Sequence, residues 1–159
     1  MRLVINASPH QAGNSVKLAQ KFLAEKDYQV LHLSDYEIDP YDQVREGDDF
    51  FTVYEEIKQA KELIFTGPIY WWSFAGLLKT LMDRFADLPY PSEGLKKKKV
   101  YLLLQGSQPS DELPGLDYSF KRFCRNYGMS YQGMAVTNYE LKDVEGWELS
   151  TLQAKLPVD

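Results

Sequence analysis

Met1-Arg2-Leu3-Val4-Ile5-Asn6-Ala7-Ser8-Pro9-His10-Gln11-Ala12-Gly13-Asn14-Ser15 opens the chain, and Val16, Ala19, Phe22 and Leu23 follow at helical spacing. Leu3-Val4-Ile5 is a short apolar run that reads as a strand. Asn14 or Ser15 is a good N-cap for the helix. The unit is therefore strand, polar turn, helix. It recurs along the chain, with strands expected at Val30-Leu31-His32-Leu33, Leu63-Ile64-Phe65, Val100 to Leu104 and Met134-Ala135-Val136. Helical stripes lie between and after them: Phe50, Val53 or Tyr54, Ile57 and Ala60; Leu77, Leu78, Leu81, Met82 and Phe85; Phe120, Phe123, Cys124 and Tyr127; and Leu149, Leu152 and Leu156. Strands joined by helical crossovers pair in parallel. The first, third and fourth strands are the most continuously apolar, as at a buried sheet centre, and the second, with His32, suits an edge. The expected fold is a doubly wound α/β sandwich, its five-stranded parallel sheet in the order 2-1-3-4-5 with helices on both faces. A six-stranded dinucleotide fold would need more chain. Ser34 to Asp49 reads as a long loop, and no linker or repeat divides residues 1–159, so one domain is expected.

Composition narrows the function. With 159 residues, 44% hydrophobic and 26% charged, the chain is too apolar for disorder and can bury roughly two thirds of its unfolded surface. Its 18 basic and 23 acidic side chains leave a net charge of −5, which speaks against nucleic acid and anionic membranes as partners. The run Lys96 to Lys99 reads as a solvated strand entrance. Cys124, the single cysteine, reads as a core thiol and permits neither an intramolecular disulfide nor a Cys-rich zinc site. Met1 to Asn6 is too short for a secretory apolar segment, and Leu63 to Leu78 stops short of a membrane span. A cytoplasmic location is expected. His10 and His32 are too few and too separated to read as a metal site.

Ligands of open parallel sheets sit beyond the carboxyl ends of the strands, where strand order reverses. Here that means the loops after the first and third strands. The first offers backbone N–H groups, the hydroxyls of Ser8 and Ser15, the Asn14 amide and a helix N-terminus, which together suit a phosphate. It has no Walker lysine, and Gly13 stands alone, so neither a P-loop nor a G-x-G-x-x-G fingerprint is supported. A plain polar turn with an N-cap remains the alternative for this loop taken alone. The third loop, Pro68-Ile69-Tyr70-Trp71-Trp72-Ser73-Phe74, crowds four aromatics at a sheet edge. They suit a planar heteroaromatic ring, or else a hydrophobic patch for self-association. A phosphate site beside a ring platform describes a mononucleotide. Flavin mononucleotide (FMN) fits better than ATP, because no carboxylates are arranged for magnesium.

The segment from Gly67 to Lys79, continuing through Met82-Asp83-Arg84-Phe85, resembles the signature of the flavodoxin-like NAD(P)H quinone oxidoreductases. Ser8-Pro9 with Gly13-Asn14-Ser15 is similar to the phosphate loop of the NADPH-dependent FMN reductases, and Phe123 to Tyr131 is similar to the family's junction into the fifth strand. The resemblance implies a flavodoxin-like fold, FMN as cofactor and NADH or NADPH as co-substrate, with hydride passing to a quinone or similar small acceptor in ping-pong turnover. It implies that Ser8, His10, Asn14 and Ser15 hold the FMN phosphate. Pro68, Ile69, Tyr70, Trp71 and Trp72, with Phe74, would frame the isoalloxazine, and Gln105, Gly106 and Ser107, followed by Gln108, would close its other side. No catalytic side chain is expected, because the flavin carries the hydride chemistry. A homodimer is expected. Ala75 stands where the family usually has proline, Ser107 where a second glycine is common, and the fourth loop lacks the Tyr and His pair of some quinone reductases. The rival readings are a flavodoxin-type electron carrier and a non-catalytic interaction module. A phosphoacceptor receiver fails on Thr66-Gly67 and Asn6-Ala7, and a low-molecular-weight phosphatase fails because Cys124 lies on a helical stripe. Asp83-Arg84 reads as a helix-surface pair or a ligand contact and is left outside the site.

Overall fold

The computed structural model describes residues 1–90, 92–142 and 147–158. Its strands are β1 (Arg2–Asn6), β2 (Gln29–His32), β3 (Glu62–Tyr70), β4 (Ser73–Phe74), β5 (Lys99–Gly106) and β6 (Ser130–Asn138). Its helices are α1 (Asn14–Leu23), α2 (Phe50–Gln59), α3 (Gly76–Arg84), α4 (Leu113–Asn126) and α5 (Leu149–Gln153). Five parallel strands lie in the order β2-β1-β3-β5-β6. This is the expected order, renumbered because β4 is an additional short strand that pairs antiparallel with the end of β3.

The layering follows from period-two alternation along the buried strands. Leu3, Ile5, Leu63, Phe65, Val100, Leu102 and Leu104 face one way and pack against residues of α2, α3 and α4, among them Ile57, Leu81 and Phe120. Val4, Ile64, Tyr101 and Leu103 face the other way, onto Leu18 and Phe22 of α1 and Leu149 and Leu152 of α5. Cys124 is wholly buried, and that burial raises its thiol pKa well above the ordinary range. Lys98 departs from the solvated reading of its run, for its ammonium donates to the carbonyls of Lys58 and Ala60 and so closes the end of α2.

Two further expectations are corrected. The N-cap of α1 is Gly13 rather than Asn14 or Ser15, and no side chain caps it. Arg84 is not a surface residue. At 1% exposure it is buried at the end of α3, paired with Asp48 and Asp87 and donating to the Asp39 carbonyl. It thereby fastens the loop after β2, which the sequence shows only as a polar stretch.

Candidate active site

β1 and β3 lie side by side, and the Ala7 amide continues their pairing by donating to the Thr66 carbonyl at 2.8 Å. The loop from β1 to α1 and the extension of β3 therefore leave the same edge of the sheet. The loop is shaped by its own side chains. Asn6 Oδ1 accepts from the Ser8 amide at 3.1 Å, and Ser8 Oγ accepts from the His10 amide at 3.1 Å. The chain passes so close to itself that a Cβ at Gly13 would stand 3.0 Å from the His10 Cβ. Ser15 is fully buried, its carbonyl accepting from Thr66 Oγ1 at 2.9 Å while its own Oγ has no partner. The Asn14 amide donates to the Tyr139 carbonyl at 2.8 Å, tying the loop after β6 to the start of α1. His10 is exposed.

On the other side, β3 runs on past the sheet and folds back as a two-residue hairpin, with Ile69 opposite Phe74 and Tyr70 opposite Ser73. Trp71 and Trp72 form the tip, at φ of 48° and 58°. Positive φ at both positions matches the right-handed strand twist, but asparagine and glycine are the residues that take it readily. Two indoles held there are an outlier of the kind that clusters at functional sites. Their rings meet edge to face at 5.6 Å, and both project outward, 85% and 63% exposed. Tyr70 is exposed beside them, while Pro68 is buried in the strand.

Phe74 takes a different place from the one expected. Its ring lies in the core, edge-on to Phe120 at 6.1 Å, because alternation along β4 turns it inward. It supports the hairpin from below and offers no open ring face. Facing the hairpin across a cavity of about 320 Å³ are Gly106 and Ser107, then Pro109, Ser110 and Glu112. That volume lies in the range of small-molecule sites. The last three were missed at the sequence level, although Ser110-Asp111-Glu112 before Leu113 is a helix-start pattern. Ser110 donates through its amide and hydroxyl to the Glu112 carboxylate, fixing the loop at the head of α4. Gln105, in register with Pro68 and Thr137, is half-buried inside the sheet. A larger cavity of about 580 Å³, near Arg2 and Glu62, opens at the amino ends of the strands, away from the switch point.

Residues 2–149 match the family described as NADPH-dependent FMN reductase. The chain belongs to that family. An FMN reductase of this kind is an NAD(P)H-dependent oxidoreductase with FMN as cofactor and a flavodoxin-like parallel sheet. The chain is 30% identical over 145 residues to the Bacillus subtilis protein YwqN, named as an NAD(P)H-dependent FMN-containing oxidoreductase, covering 82% of this chain and 80% of that one. Among solved structures, the Trp repressor binding protein of Bacillus subtilis superposes with a TM-score of 0.75 at 25% identity, covering 99% of this chain and all of its own. An FMN-dependent NADH-azoreductase from Bacillus anthracis, in complex with FMN, shares the fold with a TM-score of 0.67 at 16% identity, covering 97% and 94%. Among the described residues, no group of three His, Cys, Asp or Glu side chains could hold a metal, and no helix is long and apolar enough to cross a membrane.

Proposed function

We propose that this FMN reductase passes electron pairs from NADH or NADPH to a quinone or similar small two-electron acceptor by ping-pong turnover, in one domain that pairs as a homodimer. The observation that carries the reading is the Trp71-Trp72 tip, held in a strained backbone across a cavity from Gly106 and Ser107. FMN, when bound, would supply the hydride chemistry. Ser8, His10, Asn14 and Ser15, with the free amides at the head of α1, would hold its phosphate. The unpartnered Ser15 Oγ supports that fit. A buried hydroxyl without a partner costs about 1–3 kcal/mol, and a phosphate oxygen at this helix end would relieve it.

Pro68, Ile69 and Tyr70 would present backbone groups to the polar edge of the isoalloxazine. Trp71 and Trp72 would offer ring faces, Phe74 would support them, and Gln105, Gly106 and Ser107 would bound the opposite side. The chain's work is then alignment and exclusion of water, which needs no acid or base side chain. The cluster of exposed Tyr70, Trp71 and Trp72 also favours a second copy as the cover of this rim, since exposed apolar patches mark contacts.

Steady-state NADH and NADPH oxidation by the FMN-loaded protein, with a quinone varied at several fixed donor concentrations, tests the reading. Parallel double-reciprocal lines are expected. Intersecting lines would remove the ping-pong order, and no turnover with any quinone would remove the acceptor class. Sedimentation velocity reports the dimer, and a monomer at all concentrations would exclude it.

A further inference from the structure

We infer that Asn6 and His32 form a positioning pair that shapes the phosphate loop and ties its grip on phosphate to the protonation of the His32 imidazole. The inference rests on the FMN reading above. Asn6 ends β1, is fully buried, and stands directly opposite His32 in the β1–β2 register. Its amide can face only one way. The Ser8 amide, which can only donate, is 3.1 Å from Oδ1, so Oδ1 is the acceptor there. Nδ2 then points to the His10 carbonyl at 3.4 Å and to His32 Nδ1 at 3.0 Å. An amide nitrogen only donates, so His32 Nδ1 must accept, and the imidazole is neutral with its proton on Nε2.

The connection runs on into the loop. Asn6 holds the Ser8 amide, and Ser8 Oγ holds the His10 amide, so one series of hydrogen bonds leads from the edge strand into the residues proposed for phosphate. Protonating Nδ1 sets donor against donor at this contact. If the Asn6 amide turns over to accept, Oδ1 leaves the Ser8 amide, and a buried N–H loses its partner. The titratable groups that hydrogen bonds link to this loop are His10, in the loop itself, and Asp35, which follows β2 and accepts from Gln11 Nε2. Thr66, the neighbour of Asn6 on β3, carries no charge.

Riboflavin, which lacks the phosphate, separates positioning of this loop from general structure. Dissociation constants of FMN and riboflavin for the flavin-free protein, read by flavin fluorescence from about pH 5.5 to 8, test the pair. Asn6→Leu should weaken FMN by about tenfold or more, the scale of one unsatisfied buried group, and leave riboflavin unchanged. His32→Phe, with no acceptor, should weaken FMN across the range. His32→Asn places a non-titrating acceptor near the position of Nδ1. It should restore the affinity lost in His32→Phe and show a shallower acid decline than wild type, the ionisation of FMN's own phosphate near pH 6 being common to all. Equal loss of both flavins in Asn6→Leu, or identical pH profiles for wild type and His32→Asn, overturns the inference. If Asn6→Leu does not fold, the His32 profiles decide alone. A wild-type protein that binds neither flavin removes the FMN reading and this pair with it, whereas FMN binding with unchanged profiles removes the pair alone.

Discussion

Arg84 and Asp48 meet through both terminal guanidinium nitrogens, Nη1 to Oδ2 at 2.6 Å and Nη2 to Oδ1 at 3.0 Å, with the side chains 1% and 5% exposed. The guanidinium also lies over the Phe50 ring at 4.7 Å, so α3, the head of α2 and the loop after β2 close around one cation. Removing one partner of such a pair leaves the other charge buried and typically costs about 3–5 kcal/mol. Arg84→Met is therefore expected to lower the thermal midpoint by roughly 10 °C for a chain of this size. Limited proteolysis should then cut first between residues 36 and 49. A midpoint within a degree or two of wild type would show that the pair is not a structural anchor.

The same carboxylate sets an acid limit. Burial alone would raise the Asp48 pKa, but hydrogen bonds from Arg84 and from the Asp39 and Phe50 amides outweigh it and hold the group at about 2. That lies below the unfolded value near 3.9, so the contribution, roughly 2–3 kcal/mol, is complete above the unfolded pKa. It is lost as pH falls from about 4 toward 2. Asp39, whose carboxylate Arg45 holds low by hydrogen bonding, adds to the decline in the same direction. Urea denaturation at stepped pH should show stability falling over this window in wild type. Asp48→Asn, less stable at neutrality, should show a shallower fall, and equal slopes would assign the acid sensitivity to other groups.

These residues also mark what could be read from the sequence. The five parallel strands and their order were legible because each strand is an apolar run between helical stripes, and topology then fixed which loops share an edge. Arg84 was not, because its partner lies 36 residues upstream in a polar loop without periodicity. The β3–β4 hairpin was missed because Trp-Trp is the reverse of the turn chemistry that announces a two-residue tip. Asn6 is a strand-end polar residue whose meaning depends on its register partner His32, which no spacing reveals. Phe74 was misplaced because a run of aromatics does not show which one the pleat turns inward.

Cys124 should be inert while the chain is folded. Thiolate is the reactive form, and burial disfavours it. A disulfide-exchange reagent at neutral pH should give no release from native protein and one equivalent in denaturant. Rapid reaction without denaturant would mean that α4 opens readily to solvent.

The strained tip predicts opposite changes in stability and cofactor affinity. Trp71 and Trp72 both occupy left-handed backbone, which costs an L-residue roughly 1–2 kcal/mol each, and their exposure means that neither recovers much through burial. The double substitution Trp71→Asn with Trp72→Gly keeps the hairpin and supplies residue types suited to it. The double variant should gain about 1–2 kcal/mol of stability and melt a few degrees higher. If the indoles face the flavin, the same variant should bind FMN about tenfold more weakly or transfer hydride more slowly, since each lost aromatic contact is worth about 0.5–1.5 kcal/mol. Scanning calorimetry of the flavin-free protein, set beside FMN titration, reads both effects. A variant that is both less stable and unchanged toward FMN would mean that the tryptophans pack for structure. One that is more stable and still binds FMN normally would leave the strain without a function at this site.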